Sequence, residues 1–497
     1  MSSVTPTRQD PFHPLSVGGA GSRLLGRLAH AFPKLSTQRI LLHALAILAL
    51  LLVNKAGNAG AAVFFAILFM MIVRNPESAF MALIIGLVGL VTNMAIVPKS
   101  LVWTPCRLIL LFVCALRFLV DLAALRRSVF EDAAYLALCL FAVVAAICSI
   151  LSGYYLHIAL LKLACFFAGM TAVFAGVKVL RARRSEFSSW FISVAAVFVI
   201  NGFLAVAMGA GYGRGMAGDF QTYFQGPFYH ANCCGPFCAL ILVLLFSTWL
   251  FGTYRGRSVC LWLIIPLLYF IWLSSSRTGL LSAVLGMSFV FLASFLADRR
   301  RVVTLQRNAR RTSLIIAACA IGIFAFMVDL ASQGEISRSL LMFINKYDQK
   351  NESIEIGTVM RTRQGLIDRS LAEFWRRPLT GLGFEVSLDP YFVENATLFS
   401  APIEKGFLPT ALLEEVGILG TTAFMLFIGM LIASLARQQN APGLAMLLTY
   451  LVTNLGEVTI FSFGGPGGLG WSLVGAAILI GDQCLVIRSP RPSQPAW

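Results

Sequence analysis

The sequence predicts an all-α, polytopic transmembrane bundle of about fourteen spans (12–14), with both termini cytoplasmic and one large outer loop. Three observations carry that prediction. Of 497 residues, 58% are hydrophobic and only 12% charged, too little polar surface to cover a soluble globule. The apolar residues fall in runs near the length of about 20 helical residues that a hydrocarbon core of about 30 Å requires. Lys and Arg, which give a net charge of +16, gather in alternate loops, as cytoplasmic loops of a membrane protein do. Such a charge can also mark a nucleic-acid binder, but no soluble basic face is visible. Lipid headgroups are its natural partner.

Residues 1–37 are basic and rich in Pro, Gly and Ser, and no small-residue cleavage site follows the next apolar segment. They read as a disordered cytoplasmic tail, not a signal peptide. Eleven spans are expected within 38–331, near 38–54, 57–73, 78–97, 101–122, 132–152, 155–177, 188–210, 229–252, 259–275, 278–297 and 313–331. The large loop 332–406 follows, then spans near 407–436, 441–460 and 466–487, and a cytoplasmic tail 488–497. With the N-terminus inside, the inner loops hold Arg126/Arg127, Lys178 to Arg184, Arg255/Arg257 and the basic run from Arg299 to Arg311. The short outer loops hold only Lys55, Lys99, Arg214 and Arg277, and one span more or fewer would scramble this partition. The apolar stretch Val259 to Ala297 is therefore two spans, with "SSSRTG" as the tight outer turn. The 11 cysteines are scattered through apolar segments and read as small core residues rather than a disulfide framework.

Arg277 is either a turn residue snorkelling to headgroups or part of a site. Two other outer segments bear on the choice. Arg214 lies in "GYGRG", where backbone and guanidinium can both approach a ligand. In "RTRQGLIDRSLAEFWRR", Leu366, Ile367, Ser370, Leu371, Phe374 and Trp375 recur at helical spacing between Arg363, Arg369, Arg376 and Arg377. This predicts an amphipathic helix at the membrane surface, either a lid on the bundle or a substrate-binding element, broken by Pro378 and turned at Gly381 and Gly383. Arg214, Arg277 and Arg363 near one face would suit a diphosphate, because guanidinium binds phosphate bidentately and stays charged. For a membrane bundle that ligand would be a lipid-linked pyrophosphate.

At these residues the chain resembles the bacterial O-antigen ligase and Wzy-type O-antigen (exopolysaccharide) polymerase superfamily. "GPFYHANCCGPF" is similar to its "G-x-F-x-H-x-N" signature, carried by Gly226, Phe228, His230 and Asn232. "SSSRTGLL" is similar to its "SRTGLL" turn at Arg277, and "RQGLIDRSLAEFWRRPLTGLG" resembles its "R…PLLGxG" stretch with Arg363, Pro378, Gly381 and Gly383. "GFLPTALLEEVGILG" places Glu415 and Gly417 at its "E-x-G". The resemblance covers about residues 200–440. It implies a metal-independent, cofactor-free glycosyltransferase of the bacterial inner membrane, its active site facing the periplasm. The donor would be an undecaprenyl-pyrophosphate-linked oligosaccharide, polymerised into exopolysaccharide or O-antigen, with a flippase and a chain-length regulator as partners and no nucleic acid. The family's arginines would map to Arg214, Arg277 and Arg363 as pyrophosphate ligands, with Arg277 also catalytic. His230, Asn232, Glu415 and Glu457 would be further substrate-binding positions. Ligases carry a His-Asn pair where this chain has Glu404 and Lys405. That departure favours the polymerase and makes Glu404 the candidate base. A ligase delivering glycan to lipid A core or protein is the alternative; a lipid-oligosaccharide flippase or other transporter is the alternative of another class, though no internal repeat supports it.

Several residues keep two readings. His230, Cys234 and Cys238 recur every four residues like a metal stripe, but small-residue helix packing explains them better and no metal is expected. His230 and Asn232 could equally hydrogen-bond loop backbone. Arg107 and Lys162 fall at mid-depth, lining a cavity or bonding helix-end carbonyls. Glu385, Asp389 and Glu394 rival Glu404 as loop acids, and "FGGPGGLG" (463–470) reads as an outer turn.

Overall fold

The computed structural model describes residues 33–183, 187–214, 222–251, 258–298, 356–388 and 405–486. The expected span 313–331, Glu404, Asp389, Glu394 and most of both tails lie outside the described residues. The helices are α1 (Pro33–Leu52), α2 (Gly57–Arg74), α3 (Pro76–Val91), α4 (Trp103–Ala124), α5 (Ala133–Ser152), α6 (Leu156–Arg183) and α7 (Ser188–Ala207). They continue with α8 (Ala231–Phe251), α9 (Val259–Leu273), α10 (Arg277–Asp298), α11 (Ile356–Arg376), α12 (Leu408–Arg437), α13 (Ala441–Thr453) and α14 (Pro466–Val486). Local chemistry sets several starts: Asn75 caps α3 by accepting from Ser78 N–H with Pro76 in the first turn, and Asp132 and Asn440 cap α5 and α13.

Seven stretches are long and apolar enough to cross a membrane, namely Thr37–Arg74, Ala133–Ser152, Leu156–Arg183, Ser188–Ala207, Ala231–Phe251, Arg277–Ser294 and Leu408–Arg437. Pro76–Val91, Val259–Leu273 and Ala441–Thr453 are shorter apolar helices. Large apolar side chains cover the outside of the bundle, among them Leu42, Met70, Leu116, Trp262, Leu292 and Met425, as lipid contact requires. This is a membrane helical bundle. Its centre is α8, buried along nearly its whole length and packed against α9, α10, α13 and α14. A second group forms where α12 packs on α5 and α4 on α6, and α14 joins the groups by packing on both α6 and α8.

The structure corrects three expectations. The fold is not wholly helical, because β1 (Tyr212–Arg214) and β2 (Thr222–Phe224) pair antiparallel in a short ribbon with Tyr212 opposite Phe224. The third and thirteenth spans end early, at Val91 and Thr453, because Asn93 bonds the backbone of the loops that precede α8 and Asn454 folds the backbone that follows it. "FGGPGGLG" is a turn only as far as Gly465; its last residues open α14.

Candidate functional site

Contacts between loops define two ends of the bundle. At one end the loop before α8 lies against the end of α3: Tyr229 N–H donates to Val91 O (3.0 Å) and Asn93 N–H to Pro227 O (2.8 Å). The buried Asn93 side chain fixes this junction, donating to Ala210 O (2.8 Å) and Gly226 O (3.0 Å). The loop delivers His230 and Asn232 to the start of α8, where Asn232 N–H donates to His230 Nδ1 (3.2 Å). In the neutral imidazole the proton therefore sits on Nε2.

The "SRTG" turn meets this point by close approach. A Cβ on Gly235 would fall 2.1 Å from Ser276 Cβ, and one on Gly279 would fall 2.6 Å from the Gly235 carbonyl carbon. Only glycine at both positions lets α8 and α10 cross so tightly. Ser276 Oγ accepts from Gly279 N–H (3.1 Å), which makes Arg277 the first residue of α10, half-buried and with no acidic residue in the first turn. The loop after α13 completes the group. Thr278 packs on Gly456, where a Cβ would lie 2.2 Å from Thr278 Oγ1, so Glu457 is brought beside the Arg277 turn. Asn454 folds that loop by accepting from Thr459 N–H (2.7 Å) and Ile460 N–H (2.9 Å).

Glu415 belongs to a second, fully interior cluster. Lys405 Nζ bridges Glu414 Oε1 (3.1 Å) and Glu415 Oε1 (3.0 Å) and donates to Val386 O (2.9 Å). Ser370 Oγ of α11 donates to Glu414 Oε2 (2.7 Å), Glu385 N–H to Glu415 Oε2 (3.1 Å), and Lys162 Nζ to Glu385 O (2.9 Å). Backbone pairing holds the "PLTGLG" strip along a break in α12. Leu382 and Gly383 N–H donate to Glu414 O and Glu415 O (2.8 Å each), and Ile418 N–H donates to Pro378 O (2.9 Å). At the break Gly417 has φ 61°, and a Cβ there would lie 2.4 Å from Leu379 C and O. Arg377 ties the same strip to the end of α5, donating to Ser152 O (2.6 Å) and standing over the Tyr154 ring at 4.9 Å.

Charge balance explains the acid of this cluster. Burial pushes the Glu385 carboxyl up to about 7, opposed by Lys162 and reinforced by Glu415. With Glu385 neutral, Lys162 and Lys405 balance Glu414 and Glu415. Burial is the largest influence on Lys405 and lowers its pKa, but Glu414 and Glu415 outweigh it and hold the ammonium above its ordinary value.

Thus His230, Asn232, Arg277 and Glu457 meet at one end of the bundle, whereas Glu415 is tied into the neighbouring ionic cluster. Arg214 ends β1 and Arg363 lies in α11, and Glu404 lies outside the described residues. Sequence reasoning missed Asn93, Tyr229 and Asn454. A polar residue within an otherwise apolar run was the available signal for the two asparagines. Among the described residues no group of His, Cys, Asp and Glu could hold a metal ion, and Cys234 and Cys238 are buried in the bundle. Compared with known protein families and with curated proteins, the chain matches none.

Proposed function

We propose that the protein is a glycosyltransferase that polymerises undecaprenyl-pyrophosphate-linked oligosaccharide repeats at the Arg277 end of the bundle. The reading places that end in the periplasm, with about fourteen spans and both termini inside a bacterial inner membrane. One observation carries it: glycine contacts draw the His230 loop and the Arg277 turn, whose motifs resemble the ligase and polymerase superfamily, together with the acid-bearing Glu457 loop. Arg277 at the start of α10 adds a guanidinium to the free N–H groups of a helix N-terminus, and both kinds of donor suit a phosphate.

In this reaction the acceptor hydroxyl oxygen forms a bond to the anomeric carbon while the bond from that carbon to the diphosphate oxygen breaks, with inversion. A carboxylate takes the hydroxyl proton, with Glu404 as the candidate and Glu457 as a second acid. Arg277, with Arg214 and Arg363, stabilises the departing lipid diphosphate. His230, Asn232 and Glu415 support the glycan or the loops around it. The test uses purified protein in nanodiscs, metal-free, with polyprenyl-pyrophosphate-linked repeats and products resolved by length. A ladder from wild type that Arg277→Ala abolishes is expected; a ladder of normal length from a well-folded Arg277→Ala overturns the proposal.

A further inference from the structure

Two cations at the same end of the bundle have no role in the mechanism above. Lys99 lies in the loop between α3 and α4, where its Nζ donates to Gly89 O and stands over the Trp103 ring at 4.5 Å. Arg107 lies one turn into α4 on the helix face it shares with the buried Leu111, Cys114 and Phe118. Its Nε is buried and has no hydrogen-bond partner among the described residues. Among the described residues the groups within its electrostatic reach are Lys99, the Cys165 thiol and the Tyr229 phenol, none of them a carboxylate. Two cations side by side without an anion are costly in an apolar bundle. Burial first, and Arg107 second, push Lys99 down to about 7.

We propose that Lys99 and Arg107 form a binding site for the phosphate groups of a membrane-embedded lipid diphosphate. A phosphate between them supplies the missing charge, accepts from the orphaned Arg107 Nε–H and returns Lys99 to its full charge. The ligand comes from the bilayer, because Leu101 (89% exposed), two residues from Lys99, offers apolar surface along which an isoprenoid chain can lie. It also reaches the reacting centre, because the Tyr229 hydroxyl lies within electrostatic reach of both Arg107 and Glu457. Phosphates held at Arg107 direct the attached sugar past Tyr229 towards Glu457 and His230. The assignment of the ligand as a glycosyl donor rests on the glycosyltransferase reading.

Binding of farnesyl diphosphate to the full-length protein in nanodiscs tests the inference, with farnesol and phosphatidylglycerol as competitors. Arg107→Gln and Lys99→Gln should each weaken binding at least tenfold, and neither competitor should displace the ligand. Affinity unchanged in both variants overturns the site, and displacement by phosphatidylglycerol reassigns it to ordinary headgroups and overturns the diphosphate assignment. Because Arg107 is a half-buried cation whose buried Nε has no partner among the described residues, Arg107→Met should raise the melting temperature of ligand-free protein while losing farnesyl diphosphate. A lowered melting temperature with binding retained would make Arg107 a structural residue. Arg107-dependent binding without polymer formation from the cognate donor would sink the glycosyltransferase reading alone. An unchanged polymer ladder in Arg107→Gln, with Arg277→Ala inactive, would sink this inference alone.

Discussion

Lys405 holds two adjacent carboxylates inside the protein, and its three donors go to Glu414, Glu415 and Val386 O. Removing one partner of a buried ion cluster leaves charge without compensation, so Lys405→Met should destabilise by about 3–5 kcal/mol. Adding Glu414→Gln and Glu415→Gln to it should recover most of that loss, read as melting temperature in detergent. If the single variant melts like wild type, the cluster contributes nothing. Glu385 gives a pH signature. Its folded pKa, about 7, lies above the ordinary 4.5, so the native state holds a proton that the unfolded chain has released between those values. The stability this contributes is full below pH 4.5 and is lost as pH rises through about 7, a change of up to about 3 kcal/mol. Glu385→Gln should flatten that part of the melting-temperature profile, and an unchanged slope would assign the pH dependence elsewhere. Neither behaviour was legible from sequence, which marked Glu385 only as one loop acid among several and Lys405 only as a departure from a family pattern.

At the scale of elements, the motif glycines were legible as turns but not as contacts. "PLTGLG" does end α11, yet its larger role is to run beside the broken part of α12, where Gly381 faces the Glu414–Glu415 backbone and Gly417 that of Leu379 and Thr380. Spacing along one strand of sequence could not reveal this, because the reason for each glycine is a partner about 36 residues away. The same holds for Gly235 and Gly279, which set the approach of α8 to α10. Gly417→Ala would place a Cβ against Leu379 and hold a left-handed residue, costing about 3 kcal/mol or more. The strip and α11 should then detach, so that trypsin cuts after Arg376 in Gly417→Ala much faster than in wild type, the Arg377–Pro378 bond being resistant to it. Equal cleavage rates would show that the strip is held by side chains alone.

For the molecule as a whole, the apolar runs located nearly every described helix within a few residues, because lipid contact imposes a length on each span. Loop folding escaped that logic: the β1–β2 ribbon and the Asn93 and Asn454 junctions depend on long-range hydrogen bonds, which leave no periodicity. Charge pairs cluster at one end of the bundle. The end opposite Arg277 carries Lys178 with Glu131, Arg181 with Asp482 (2.6 Å), and Arg183 beside Asp121. Exposed Arg126 and Arg127 lie at the same end, which the proposed reading assigns to the cytoplasm. Helix α4 offers a direct test, because Met94 precedes it at the Arg277 end and Arg127 follows it at the basic end, both exposed. In a background with the native cysteines replaced, Met94→Cys should react with a membrane-impermeant maleimide in intact spheroplasts, and Arg127→Cys only after permeabilisation. Labelling of both from outside would show that α4 does not span and would break the alternation on which the outward position of Arg277 rests. The reverse pattern would turn the bundle over and put the site on the cytoplasmic face, where a periplasmic polymerase cannot work.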